Sequence, residues 1–286
     1  MIGRMGWIPS LPDVRDYDPG TPGVIELLAK IGVPRYRFHQ PAGRVDLRQW
    51  CPPVEDQGNL GSCTANAGVG LVEYYERRVY SKYIDASRLF LYKATRELLG
   101  LKGDSGADLR STMKALALYG VPPETEWPYT DDKKKFDLDP PARLYAEAAN
   151  FKALKYYRHD PAGTAAADVL ASLKAGIQAG HPAMFGFTVY SSIAEAEKGG
   201  KVPFPGSKDK VEGGHAVVAA GYDDSLNIQG QGSPETVGAL LVRNSWGPTW
   251  GEAGYMWLPY EYVLRGLASD FWSIIEQSWV DTGAFA

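Results

Sequence analysis

A chain of 286 residues, 44% hydrophobic and 22% charged, has room for one large domain or two compact lobes at about 100–200 residues per domain. That balance excludes a disordered, collagen-like or disulfide-dense chain, and a net charge of −4 with scattered lysines and arginines offers no basic face to nucleic acid or an anionic membrane. No apolar stretch approaches the ~20 residues of a membrane-spanning helix.

Residues 1–44 are rich in proline and aromatic side chains, as in Trp7-Ile8-Pro9-Ser10-Leu11-Pro12. They read as an extended segment packed against something else, with one short helix predicted over 24–31. The first 13 residues lack a continuous apolar run, so no signal peptide is expected. With two cysteines in all, Cys51 and Cys63, the cytoplasm is the expected compartment. Apolar spacing predicts helices over 64–80, 87–99 and 107–118, the last ended by Gly120 and Pro122-Pro123. The triple lysine 133–135, set among Asp131, Asp132 and Asp137, reads as a solvated loop. A further helix is predicted over 168–179. Short strands then follow over 183–189, 216–222, 239–244 and 254–258. A helical half followed by an antiparallel half predicts an α+β protein of two lobes with a cleft between them.

The chemistry concentrates in three places. Gln57-Gly58-Asn59-Leu60-Gly61-Ser62-Cys63 runs into the start of the 64–80 helix, where the helix dipole favours thiolate over thiol. An isolated cysteine is otherwise a small buried hydrophobe. Gly213-Gly214-His215-Ala216-Val217 opens a strand, and Asn244-Ser245-Trp246-Gly247 ends another. An imidazole beside a thiol takes its proton and later returns it to a leaving amine, while an amide side chain holds the ring in place.

These motifs, with Val45-Asp46-Leu47-Arg48 and the run from Val242-Arg243 through Pro248-Thr249-Trp250-Gly251 to Gly254-Tyr255, resemble the papain-like cysteine peptidases over residues 45–262. His215 follows Cys63 by 152 positions and Asn244 follows His215 by 29, in the family's order. The resemblance implies a two-lobed domain over 45–286, with a helical lobe to about 150 and a β lobe beyond, preceded by an extension over 1–44. It implies hydrolysis of peptide or protein substrates through an acyl-enzyme on Cys63, with His215 as general base and acid, Asn244 orienting it, and no metal or organic cofactor. Gln57 and the Cys63 N–H would form the oxyanion hole, and Trp246 would cover the His215–Asn244 bond. Gly61, Ser62, Met184, Phe185, Gly186, Gly214 and Ala216 would line the substrate cleft, with an apolar pocket for the second residue before the scissile bond. The family motif Cys-Gly-Ser-Cys-Trp-Ala-Phe is altered here: Leu60 replaces the first cysteine, Thr64 the tryptophan and Asn66 the phenylalanine. The family's nearby disulfide is therefore absent, and Cys51 reads as a free thiol. Gly214 stands where many relatives carry an aspartate.

The 1–44 segment is far shorter than the family's prodomains, yet its proline-stiffened part suits a groove. It is expected to cover part of the cleft and restrain activity. Acyl transfer to an amine and a catalytically silent binding protein stay open as alternatives. His39, His159 and His181 have no partner motif and read as surface or packing residues, without zinc spacing. Asp223-Asp224-Ser225-Leu226-Asn227 reads as a turn between strands rather than a calcium loop. Gly199-Gly200-Lys201 is no phosphate loop.

Overall fold

The structure, a computed structural model, describes residues 3–33 and 42–279. His39 lies outside them. Helix α1 (Pro22–Lys30) begins on a proline whose missing N–H costs nothing at that position. Its Val24 and Leu28, one turn apart, bury against Tyr157 and Ile275. A short strand β1 (Arg44–Asp46) precedes the long helix α2 (Cys63–Tyr80), which is buried at every position from Cys63 to Tyr74. A helix enclosed on all sides is a core element, and Gly68 permits the enclosure. A Cβ there would lie 2.9 Å from the Thr112 methyl and 3.1 Å from Leu91.

Helix α3 (Arg88–Leu98) is capped by Ser87, whose Oγ accepts from the Phe90 N–H at 3.1 Å and donates to the Trp127 carbonyl at 2.6 Å. Ser87→Ala removes both bonds from a buried site, so urea denaturation of the full chain is expected to show a loss of about 1–2 kcal/mol. Helix α4 (Leu109–Leu118) is capped by Asp108 and stops where Gly120 turns the chain at φ +76°, its Cα facing the Ala148 carbonyl too closely for any side chain. Helix α5 (Ala142–Ala148) ends the helical half.

The second half alternates less regularly: β2 (Phe151–Arg158), α6 (Ala166–Gln178), β3 (Ala183–Tyr190), β4 (Val211–Ile228), β5 (Thr236–Arg243), β6 (Tyr255–Pro259), the short α7 (Glu261–Leu264) and β7 (Ala268–Trp279). The strands form one antiparallel sheet in the order β2-β7-β3-β4-β5-β6, with β1 added alongside β4. Every helix predicted from periodicity lies within two residues of an observed one. The predicted turn at 223–227 is corrected. Strand β4 runs straight through it with a bulge between Asp223 and Asn227, and Asp223 satisfies the local polar groups by accepting from the Ser225 N–H and Oγ at 2.9 and 2.8 Å.

Two large cores meet along α2. One is made by the inner face of the sheet, with Phe185, Phe187, Phe271 and Trp257. The other joins α2, α3 and α4 to Trp7, Met184, Ala216 and Trp272. Among the described residues no helix is long and apolar enough to cross a membrane.

Candidate active site

Cys63 is the first residue of α2 and fully buried. Ser62, which precedes it, does not cap the helix with its side chain. Its hydroxyl is bonded instead to Tyr129 Oη at 2.6 Å and to Asn66 Nδ2 at 3.2 Å. The first-turn amides are therefore not consumed locally, and the N–H groups of Thr64 and Cys63 itself lie against the thiol, along with those of Ala216 and Gly6. Asn66, where the family motif has phenylalanine, thus braces the turn that carries the thiol.

His215 stands on β4 and Asn244 immediately after β5, and the antiparallel pairing of Val218 with Arg243 brings both to one end of the sheet. His215 Nε2 lies 2.7 Å from Asn244 Oδ1, and the Ser245 backbone N–H donates to that same oxygen at 2.9 Å. A backbone N–H can only donate, so the shared atom is the amide oxygen, and Nε2 must carry the ring hydrogen. That leaves Nδ1 as the acceptor of the neutral ring. Among the described residues Nδ1 has no hydrogen-bond partner, the state required of a base awaiting a proton. Trp246 stacks on the imidazole at 4.6 Å and 24°, shielding the His215–Asn244 bond from water.

Gln57 is held by both lobes. Its backbone N–H donates to the Ser245 carbonyl at 2.9 Å, and its Oε1 accepts from Ser245 Oγ at 2.6 Å. Its Nε2 then donates to the Leu60 carbonyl at 2.8 Å and, at the same distance, to the carbonyl of Arg4.

The stretch from Gly3 to Ser10 makes a continuous series of contacts along these residues. Gly3 presses on the Trp246 indole, where a Cβ would come within 2.3 Å of Cδ1, and Arg4 pairs with Asp104 at 2.8 Å. The backbone of Gly6 sits so close to Gly61 that a Cβ would lie 2.0 Å from the Gly61 oxygen. The Ala107 N–H donates to the Gly6 carbonyl, the Trp7 N–H to the Gly214 carbonyl and the Ile8 N–H to the Ala107 carbonyl, at 2.9, 3.1 and 2.9 Å. The Trp7 indole lies over Gly186 and Gly214, whose missing Cβ atoms make the space.

Of the residues expected to line the cleft, Gly61, Gly186 and Gly214 touch this stretch, and Met184 and Ala216 share its apolar cluster. Phe185 does not belong there. Alternate side chains of β3 point to opposite faces, and Phe185 stacks on Phe271 at 4.9 Å inside the other core. Nor does the Ser62 side chain, spent on Tyr129 and Asn66. Cys51 is a buried free thiol, as expected. His159 is a packing residue between Ser172 and Ser273, at 2.9 Å from each, and His181 meets the Tyr75 hydroxyl at 3.2 Å.

The comparisons with known proteins agree with this geometry. The family model described as papain family cysteine protease matches residues 42–273. The chain belongs to the papain family of cysteine proteases. It is 36% identical to an uncharacterized peptidase C1-like protein of Acanthamoeba polyphaga mimivirus, covering 96% of this chain and 87% of that protein. It is 30% identical to the cathepsin B-like CP3 of Giardia intestinalis, over 71% of this chain and 63% of the relative. Among solved structures it resembles xylellain, a cysteine protease from Xylella fastidiosa, with a TM-score of 0.74 and 34% identity over 96% of each chain. The papain-like two-lobed α+β fold and peptidase class follow. Asp270 and Arg158, on β7 and β2, went unseen in the sequence. No motif marks them, and only the paired strands bring them to the Trp7 pocket.

Proposed function

We propose that this papain-family peptidase cleaves peptide bonds through an acyl-enzyme on Cys63 and that its own leader restrains it. The His215–Asn244–Ser245 arrangement supports the chemistry: with Nε2 pinned to Asn244, Nδ1 takes the thiol proton as sulfur attacks the substrate carbonyl. The imidazolium then gives that proton to the leaving amine. Water, deprotonated by the same nitrogen, releases the acid and regenerates the thiol. Gln57 Nε2 and the Cys63 N–H donate to the tetrahedral oxyanion, each such donor typically contributing about 2.7–4 kcal/mol.

The observation that carries the restraint is the Arg4 carbonyl on Gln57 Nε2, the place the oxyanion needs. The leader also runs in the wrong sense for cleavage. In a substrate, the residue filling the pocket precedes the carbonyl held in the oxyanion hole, whereas Trp7 follows Arg4. With the leader in place, burial pushes the Cys63 thiol up to about 11, against the backbone N–H groups of Ala216, Gly6, Thr64 and Cys63 that favour the thiolate, and pushes the His215 imidazole down to about 4.

The sign of the pH dependence follows. A solvated histidine titrates near 6.5, so the covered form is favoured above that value and loses ground as pH falls from there toward about 4. Asp270, whose carboxyl burial pushes upward, opposes this in part. A thiol-directed epoxide is expected to label Cys63 of the full chain up to about tenfold faster near pH 5.5 than near pH 7.5, with Cys51 unlabelled. A flat profile would remove the restraint; no label on Cys63 at either pH would remove the nucleophile.

A further inference from the structure

The loop from Gln57 to Cys63 carries both oxyanion donors, and nothing covalent fixes their separation, since both cysteines are free. It also contains Gly58, at φ +55°, and Gly61, and glycine leaves a backbone free to drift. A second loop, 127–131, grips it at Asn59, Gln57 and Ser62. Asp131 Oδ2 accepts from the Asn59 backbone N–H and Nδ2 at 3.2 and 2.9 Å. Tyr129 Oη lies 2.8 Å from the Gln57 carbonyl oxygen and 2.6 Å from Ser62 Oγ. A carbonyl only accepts, so the tyrosine hydrogen points to Gln57 and the Ser62 hydroxyl donates to Tyr129 Oη. Asn66 Nδ2 completes the line by donating to Ser62 Oγ at 3.2 Å and to the Ser62 carbonyl at 3.0 Å. The donors thus all point one way, from α2 to the Gln57 carbonyl, an order in which each bond strengthens the next.

Resting on the reading that Gln57 Nε2 and the Cys63 N–H hold the oxyanion, we infer that Tyr129 is a positioning residue whose hydroxyl sets the separation of those two donors. It does so by tying the Gln57 carbonyl to the turn that carries the nucleophile. Donors act only within hydrogen-bond reach of the position the oxyanion takes, and a misplacement of about 1 Å costs about 10²-fold. The tyrosine is itself held. Arg88 lies over its ring at 4.2 Å, pairs with Glu55 at 2.6 Å and donates to the Asp56 carbonyl at 3.4 Å. One guanidinium therefore fixes both the approach to Gln57 and the ring that braces it. Leu60, inside the gripped loop, is buried with Leu89 and Phe136 against Trp127 and Tyr129. That packing keeps the two loops together without the hydroxyl, so the hydroxyl's own contribution falls on the donors rather than on the fold.

The test uses the full chain and its Tyr129→Phe, Ser62→Ala and Gln57→Ala variants, with a fluorogenic dipeptide and two probes of Cys63. A peptide aldehyde takes the sulfur onto its carbonyl carbon and places the resulting oxygen between the donors. Dipyridyl disulfide exchanges with the thiol and places no charge there. Both probes need Cys63 uncovered, so the leader cancels from their ratio, and the Cys63→Ala chain is the blank for Cys51. Tyr129→Phe is expected to lower kcat about tenfold and to weaken the aldehyde about tenfold, with the disulfide rate and its pH profile unchanged. Ser62→Ala cuts the line one bond earlier and is expected to weaken the aldehyde about threefold. If Tyr129→Phe does not fold, Ser62→Ala decides, and an unchanged aldehyde affinity there overturns the inference. Gln57→Ala is expected to lose about 10²–10³-fold in kcat, with the aldehyde weakened alongside. Should Tyr129→Phe match the parent while Gln57→Ala loses the aldehyde, Tyr129 positions nothing and the oxyanion reading stands. Should aldehyde affinity and disulfide rate fall together, the hydroxyl serves only the fold and the inference is overturned. An aldehyde held as tightly by Gln57→Ala as by the parent overturns the inference and the oxyanion reading alike.

Discussion

Cys63→Ala is expected to lower kcat/KM on a fluorogenic dipeptide by about 10⁴-fold or more, to the level that the oxyanion donors and binding sustain without a nucleophile. The size follows from the chemistry, because the acyl-enzyme path is lost and His215 has no thiol to deprotonate. The fold is expected to survive. Cys63 is buried but small, alanine is a good residue in the first turn of a helix, and the position makes no side-chain bond that α2 depends on for its start. Unchanged circular dichroism and a near-wild-type melting temperature are the control. Cys51 cannot substitute, because it is buried against the Leu47 carbonyl with its thiol pushed upward. A variant that keeps more than about a hundredth of the turnover would end the assignment of Cys63.

The helices and the chemistry were legible for different reasons. Helices α2 and α3 announced themselves through the spacing of their apolar residues, a signal that depends on neighbours in sequence. His215 and Asn244 were legible because the Gly-Gly-His and Asn-Ser-Trp-Gly motifs are rigidly local. The helix α5 and strands β1, β2 and β7 were not. Strand β2, Phe151–Arg158, mixes lysines with tyrosines, and only its pairing with β7 explains the pattern. Asp270 is illegible for the same reason, since its pocket is assembled from β3, β4, β7 and the leader. Phe185 was misplaced because a spacing carried over from relatives does not say which face of β3 a side chain takes. The polar run at Asp223 read as a turn because a bulge needs the same residues.

Displacing the leader is expected to lower KM for a small fluorogenic peptide by about tenfold or more while leaving kcat unchanged. The split follows from the tether: a segment that competes with substrate within the same chain divides the competent population, raising apparent KM in proportion to how tightly it closes. Once substrate is bound, the leader is out and the chemistry is the same. Two variants reach that state by independent routes. Gly6→Ala adds one Cβ that would sit 2.0 Å from the Gly61 backbone oxygen, and backbone cannot step aside as a flexible side chain does. Trp7→Ala empties a pocket in which the indole is only 8% exposed, and truncating a buried tryptophan typically costs about 3–5 kcal/mol, or about two to nearly four orders of magnitude in closing. The rest of the leader stays fastened in both variants, through Arg110 to Asp16 at 2.6 Å and Arg158 to the Ser10 carbonyl at 3.1 Å, so a gain in activity reports the groove and not detachment of α1. Should KM stay put in both, the contacts of Gly3 to Trp7 are a structural strap; should kcat fall with KM, the leader supports the catalytic geometry instead of competing for it.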